Sequence, residues 1–390
     1  MPTSFVADFV EYMSGTECPP IFNVWTAYGL LSAAIGRKVY CDIDYFFVRC
    51  DTYILLVGRS GAKKTAAMLL GLDILREAVP DVVLSGDNET YQGIITWMHN
   101  DNSSRTYLDE EGKTIEYKPY HIFAEELMDY LQLNPIAMVT FLTSIYGKKG
   151  YQYKLKNEEH TLINPYVTMF GCTTPEWLTD QVKSKNFAEG YGRRTIIVCC
   201  SDILRRKPVL TPTMSAARQR CVVRLVQLSK LAGPVKLDRD AHDHFWNFYV
   251  SQRDPDDRFL QNWYSTRHLN TLKIAMLSSV AERDDLVVTL NHVKLAIGLV
   301  EEVESKLGMV TERIGRDETI DSSLQVLNIL RNNKGTMSEK LLKLKTRKDF
   351  KDPVEQFRTM QFLAQTGQIV VADEATNGVK MRVVRLTKKD

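Results

Sequence analysis

The eight residues Gly58-Arg59-Ser60-Gly61-Ala62-Lys63-Lys64-Thr65 carry the sharpest chemistry in this sequence. Small residues let backbone N–H groups turn inward around a phosphate, and a helix beginning behind them adds partial positive charge. Gly58, Ser60, Gly61 and Ala62 would form the cradle. Lys64 would reach the outer phosphates of a nucleoside triphosphate, and the Thr65 hydroxyl would hold Mg²⁺. Lys63 departs from the usual pattern, which has glycine there, yet a side chain directed outward is tolerable where loop meets helix. A plain Gly/Ser loop with incidental lysines has the same composition. The context favours phosphate: an apolar strand, Tyr53-Ile54-Leu55-Leu56-Val57, precedes the loop and a helical stretch from Thr65 follows it.

Three further strand ends carry polar groups suited to the same chemistry. Tyr120-His121-Ile122-Phe123-Ala124-Glu125-Glu126 is an apolar run ending in two carboxylates. Transfer of a phosphoryl group to water needs one acid to hold the metal and a neighbour to polarise the water. Glu125 fits the first role, where Asp is commoner, and Glu126 the second; paired acids at a helix start also suit the helix dipole. Asp129 reads as a surface helix residue. The run 165–171 leads into Cys172-Thr173-Thr174-Pro175, where Thr173 or Thr174 would bond a γ-phosphate or the attacking water. Thr174 equally fits as the cap of the next helix. Gly190-Tyr191-Gly192-Arg193-Arg194 precedes another apolar run. Arg193 or Arg194 there would stabilise charge on a neighbouring subunit's nucleotide, or form a solvated basic turn.

Positioning these groups calls for a parallel sheet covered on both faces, because residues 51–205 alternate strands with helices. Strands are expected at 52–57, 81–84, 121–124, 165–171 and 195–200, with a hairpin at 105–108 and 114–117. Ahead of them, residues 5–13 form an amphipathic helix broken by Cys18-Pro19-Pro20, residues 23–35 a more buried one, and 37–49 a hairpin about Asp44. Residues 235–315 read as helix at 241–251, 258–281 and 291–310. The end of the chain gives three helices, the third at 354–366, and a hairpin of 368–372 with 379–386. The resulting segments are 1–50 (helices and hairpin), 51–205 (α/β core), 206–318 (helical) and 319–390.

Bulk composition excludes some classes. With 44% hydrophobic and 25% charged residues the chain has ordinary globular composition, and no apolar run spans a bilayer. Seven cysteines without C-x-x-C spacing argue against a disulfide framework or zinc site. Cys41, Cys172, Cys199 and Cys200 read as small buried hydrophobes. The start of the chain lacks the basic and apolar character of a secretory signal, which implies a cytoplasmic protein. Residues 321–390 hold 14 Lys+Arg against 8 Asp+Glu, a local net of +6 in a chain of net +2. Such a basic end suggests a local anionic partner.

The order of parts over about residues 5–310 resembles AAA+ ATPases of the pre-sensor-1-hairpin group. That group includes the minichromosome maintenance helicases and the superfamily 3 viral helicases. The chain is similar in particular to phage- and plasmid-encoded replicative helicases of the primase-helicase kind, through the 58–65 loop, the Glu-Glu strand end and the Thr-Thr-Pro strand end. The resemblance implies a P-loop AAA+ parallel sheet with a helical N-terminal segment, a helical lid and a C-terminal winged helix. It implies ATP and Mg²⁺ as cofactors and a homo-oligomeric ring, most often a hexamer, on single-stranded or forked DNA, with a primase as a possible partner. It makes 151–163 a hairpin projecting into the ring channel, with Lys154 and Lys156 at its tip touching phosphates and Lys148 and Lys149 at its base. Arg267 becomes a second sensor on a lid helix, and Arg193 or Arg194 the trans arginine. In the C-terminal segment Lys343, Lys345 and Arg347 fall in the densest basic stretch and are candidate DNA anchors. An AAA+ loader or initiator clamp that binds DNA without unwinding it, and a nucleotide-binding scaffold without turnover, share these features.

Overall fold

The computed structural model describes residues 4–387 except 44–46, 101–102, 132–134, 155–158, 183–189, 201–215, 254, 256–257, 348–349, 351–352 and 377–378. Helices α1 (Phe5–Met13) and α2 (Pro20–Ile35) open the chain, followed by β1 (Val39–Asp42) and β2 (Phe47–Arg49). Ser4 caps α1 by accepting the Ala7 N–H, and Pro20 begins α2 where a missing N–H costs nothing. The next elements are β3 (Tyr53–Val57), α3 (Lys64–Ala78), α4 (Tyr91–His99), β4 (Arg105–Leu108), β5 (Thr114–Ala124), α5 (Leu127–Leu131) and α6 (Pro135–Ile145). They continue as β6 (Gly150–Lys154), β7 (Glu159–Ile163), β8 (Pro165–Thr173), α7 (Pro175–Val182) and β9 (Thr195–Cys199). Then come α8 (Ala216–Leu228), β10 (Gly233–Pro234), β11 (Lys236–Leu237), α9 (Arg239–Val250), α10 (Arg258–Glu282), β12 (Val287–Val288) and α11 (Leu290–Asn332). The last are β13 (Thr336–Ser338), α12 (Glu339–Lys345), α13 (Pro353–Gln365), β14 (Ile369–Thr376) and β15 (Val379–Leu386).

Every residue of β3, β8 and β9 is buried, as strands covered on both faces must be. The central sheet has the order β4-β5-β8-β3-β9, with β5, β8, β3 and β9 parallel and β4 antiparallel at the edge. The strand expected at 81–84 is reduced to a parallel bridge between Leu84 and His121 on the outer side of β5. Two expected strands, 114–117 and 121–124, are one, because Pro119 fits inside β5. Lys118 donates to Asn164 O on one side of the strand and His121 to Val83 O on the other. Alternation therefore turns Pro119 to the Val83 side, where β4 has already ended opposite Tyr117 and no donor is required.

Two compact units divide the chain at residues 308 and 309. The first merges the expected N-terminal, α/β and helical segments around one core. Trp25, Tyr28 and Leu31 of α2, Ile54 of β3 and Met276 of α10 belong to the same apolar cluster. The expected strand pair at 37–49 forms as β1 and β2, and the parallel pairings of β1 with β10 and of β11 with β12 tie in the helical stretch. α11 is continuous over 43 residues, so the break expected after residue 310 does not occur. The second unit has its own core, with Val326, Leu330, Met337, Leu342, Leu363 and Val384. Its antiparallel sheet β13-β15-β14 contains the expected hairpin and an additional strand, β13. All seven cysteines are free, and Cys200 is half-buried while the other six are buried. Among the described residues no helix is long and apolar enough to cross a membrane.

Candidate active site

Parallel strands end at one edge of their sheet, so loops that follow them share a surface. Val57 of β3 lies beside Thr173 of β8 and Cys199 of β9, and Ala124 of β5 lies beside Gly171 of β8. The 58–65 loop, Glu125, Glu126 and Thr173 therefore meet at the carboxyl edge. Gly58 donates its N–H to Thr173 O at 3.2 Å, and Cys200 donates to Val57 O at 2.9 Å, so the loop leaves from a clamped strand end. A Cβ on Gly58 would lie 2.8 Å from Cys200 O, which leaves no room for a side chain. Gly61 has φ +83° with open space around it, and Arg59, Ser60 and Gly61 form an exposed crest. Ala62 is buried and closes the turn through its N–H to Arg59 O at 3.1 Å.

Lys63 occupies the left-handed region at φ 60° and ψ 23° and caps the N-terminus of α3. A side chain in this region costs roughly 1–2 kcal/mol, which is why glycine usually stands there. The lysine keeps the glycine conformation, with Nζ 3.4 Å from Glu17 Oε2 and its carbonyl accepting the Cys18 thiol at 3.5 Å. In the sequence Cys18 reads only as part of a helix break and Glu17 has no role, since nothing near them points to a loop some 45 positions away. Lys64 is 7% exposed, and its Nζ donates to Gly58 O at 2.6 Å and Arg59 O at 3.2 Å. Thr65, next in α3, is half-buried.

Glu125 is exposed and Glu126 half-buried. Burial raises the Glu126 carboxyl above its ordinary value of 4.5; Thr173 and the Lys64 ammonium oppose the shift, and Asp129 adds to it. Thr173 Oγ1 is buried and completes no well-formed hydrogen bond, although it lies close enough to Glu126 to hold its carboxyl down. Thr174 instead caps α7, accepting the Trp177 N–H at 3.4 Å. Lys64, Glu125 and Glu126 all bear on Cys172, whose thiol burial pushes up to about 12. The charged groups expected to act together are thus neighbours. Together they comprise a turned loop, the first turn of a 15-residue helix, a hydroxyl and two acids of differing exposure, a set of groups that could hold a polyphosphate.

Other expected residues lie elsewhere. Arg193 and Arg194 form a tight turn before Thr195, which pairs with Tyr53 at the amino edge, the far end of β3 from the loop. Arg194 donates to Gly190 O at 2.8 Å and stacks on Tyr146, while Arg193 Nε is buried without a partner. Arg267 is not brought to the loop. Its neighbour Thr266 bonds Arg193 O, and its guanidinium grips Glu304 through two bonds of 2.6 and 2.7 Å between the rings of Phe248 and Tyr264. Its Nε and Nη2 and both faces of the guanidinium are thus engaged inside the helical region.

Strands β6 and β7 form the expected hairpin, with Lys154 exposed and paired to Glu159 at 3.1 Å; Lys156 lies outside the described residues. Tyr153 meets Tyr91 of α4 through their hydroxyls at 3.3 Å, anchoring the hairpin on that helix. Lys149 stacks on Phe47, and Lys148 is exposed. In the second unit Lys343 pairs with Glu339 at 2.6 Å, Lys345 reaches Asn333 at 3.4 Å and Arg347 is exposed. In comparisons with known proteins, no family model matches the chain and no curated protein matches it either.

Proposed function

We propose that this chain is an ATP-hydrolysing P-loop motor of the AAA+ type that works as a homo-oligomeric ring on a DNA strand. The observation that carries the reading is the convergence of Lys64, Glu125, Glu126 and Thr173 at one sheet edge, around a loop whose residue 63 keeps a glycine conformation. Lys64 and the N–H groups of Gly61, Lys63, Lys64 and Thr65 would bind the phosphates, and Thr65 with Glu125 would hold Mg²⁺. The metal supplies charge neutralisation at the phosphates. Glu126, made more basic by burial, would accept hydrogen bonding from the attacking water, and Thr173 would orient it. Arg193 lies at the opposite edge, so it would act on a nucleotide held by the next copy, a head-to-tail arrangement that closes into a ring. Between the two candidates for this trans role, Arg193 has the unpartnered nitrogen and Arg194 the satisfied one.

The hairpin β6–β7 is the proposed strand contact and the second unit, read as a winged helix, an accessory anchor. ATP-dependent displacement of a labelled strand from forked DNA by the purified chain tests the motor; ATP turnover without displacement on any fork polarity would sink it. The second reading, a loader or initiator clamp, draws on the second unit, where Leu344, Val354 and Phe357 are 65%, 56% and 57% exposed near the basic residues. Exposed apolar side chains on two helices favour a protein partner more than bare phosphates do. Capture of the chain by a replicative helicase, with no displacement by the chain alone, would favour that alternative.

A further inference from the structure

We infer that Glu17 is a positioning residue for the nucleotide loop, holding Lys63 in the left-handed conformation that a glycine would adopt unaided; this rests on the nucleotide reading above. Lys63 is one of four non-glycine residues with positive φ among those described. Two consecutive residues grip it at both ends. Glu17 pairs with its ammonium at 3.4 Å, and Cys18 donates its thiol to its carbonyl at 3.5 Å. Rotation of φ to ordinary negative values would swing the side chain and the adjoining peptide away from these partners together.

The grip has a rigid base. Glu17 and Cys18 sit on the short connection between α1 and α2, where Thr16 donates its N–H and its hydroxyl to Met13 O at 2.9 and 2.7 Å. The Cys18 N–H goes to Thr16 Oγ1 at 3.2 Å, and Pro19-Pro20 fix the start of α2. The Glu17 side chain is 12% exposed, so its carboxylate is less screened than a surface acid. Lys63 controls where the N–H groups at the start of α3 point, and these are the groups proposed to face phosphate. An anchored lysine thus replaces a free glycine, and the N-terminal helices become part of the loop's support.

A mutant cycle read by Mg-ATP titration calorimetry tests the inference, with a thermal melt for each variant. Glu17→Ala is expected to raise the Mg-ATP dissociation constant about fivefold to tenfold, equivalent to roughly 1–1.4 kcal/mol. Glu17→Ala added to Lys63→Gly should cost nothing further in affinity beyond whatever Lys63→Gly does alone. A merely structural role would lower the melting temperature and leave affinity unchanged. Equal losses in both backgrounds, or none in either, would overturn the inference while wild-type binding keeps the nucleotide reading alive. A wild-type chain that melts cooperatively yet binds no Mg-ATP would remove both. Glu17→Gln, which keeps the shape and loses the charge, substitutes if Glu17→Ala fails to fold.

Discussion

The two edges of the central sheet treat charge in opposite ways. At the amino edge four cations are satisfied by the chain itself. Arg37 is 1% exposed and donates to Pro165 O at 2.8 Å, Arg194 closes on Gly190 O, and Arg267 grips Glu304. Lys273 bonds Asp51 O and Oδ1 at 2.6 and 2.8 Å and Tyr146 Oη at 2.6 Å. At the carboxyl edge Glu125 is exposed, Thr173 lacks a well-formed bond, Lys63 is held against its conformational preference, and Lys64 rests on loop carbonyls. Saturated buried charge holds elements in place, whereas groups poised near one another with capacity left over are available to a ligand. Arg193 and Arg49, each with a buried Nε that has no partner, are exceptions at the amino edge.

Removing a charge from the saturated edge should have the largest effect. Asp51→Ala leaves the Lys273 ammonium buried beside Tyr146 without its carboxylate, and a loss of about 3–5 kcal/mol of unfolding free energy is expected. Adding Lys273→Met should recover much of that loss in urea titrations, since no buried charge then remains. A single-mutant loss below about 1 kcal/mol would break the contrast between the edges. At the other edge the same kind of change should affect chemistry instead. Lys64→Ala should lower ATP turnover by about 10²–10³-fold, the scale of a lost transition-state donor. Its stability cost should stay near 1 kcal/mol, the value of ordinary hydrogen bonds to carbonyls. The acid limb of turnover should lie above the ordinary carboxylate value, because burial raises Glu126.

His121 probes the sheet between these edges. It is 2% exposed, bonded to Thr168 Oγ1 at 2.8 Å, and burial lowers its imidazole from 6.5 to about 3. A depressed folded value means the unfolded chain takes the proton first, so stability is full above pH 6.5 and falls as the pH drops toward 3. At pH 5 the loss from this residue should be about 2 kcal/mol relative to pH 8. His121→Gln should flatten that part of the stability–pH curve. An unchanged slope would show that the imidazole charges without leaving the sheet.

Legibility in the sequence follows the range of each interaction. The run from Tyr53 to Val57 and the loop after it are local, and the pattern of strand, turn and helix appears where expected. The two halves of β5 read as separate strands because Lys118-Pro119 is a local break, and only its neighbours show that Pro119 needs no partner. β13 is three residues long, too short for alternation to register, and is set by pairing with β15. Thr173, Glu125 and Glu126 were recognisable as strand ends, whereas their meeting depends on strand order. The grip of Arg267 on Glu304 spans 37 residues and that of Lys273 on Asp51 spans 222, so neither is legible locally. Glu17 was invisible for the same reason, while Lys63 was visible as a departure from pattern without the conformation that gives it meaning.

The smallest effect expected belongs to the hairpin, whose base leads through Asn164 into the amino end of β8. Lys154 and Glu159 are 68% and 50% exposed, so their pair at 3.1 Å contributes little, and Lys154→Ala should change stability by less than about 0.5 kcal/mol. The same pairing occupies the ammonium that would meet a phosphate. Glu159→Gln should therefore tighten single-stranded DNA binding by about twofold to threefold at low salt, while Lys154→Ala weakens it and lowers the salt slope by about one unit. Fluorescence anisotropy with a labelled oligonucleotide across a salt series reads both. If neither variant moves the affinity or the slope, the hairpin is a solvated ornament on α4 and the strand contact must be sought on another surface. If only Glu159→Gln acts, negative charge near the tip repels DNA without Lys154 touching it. Opposite shifts from the two variants would place a phosphate at Lys154 and show that Glu159 competes with DNA for it.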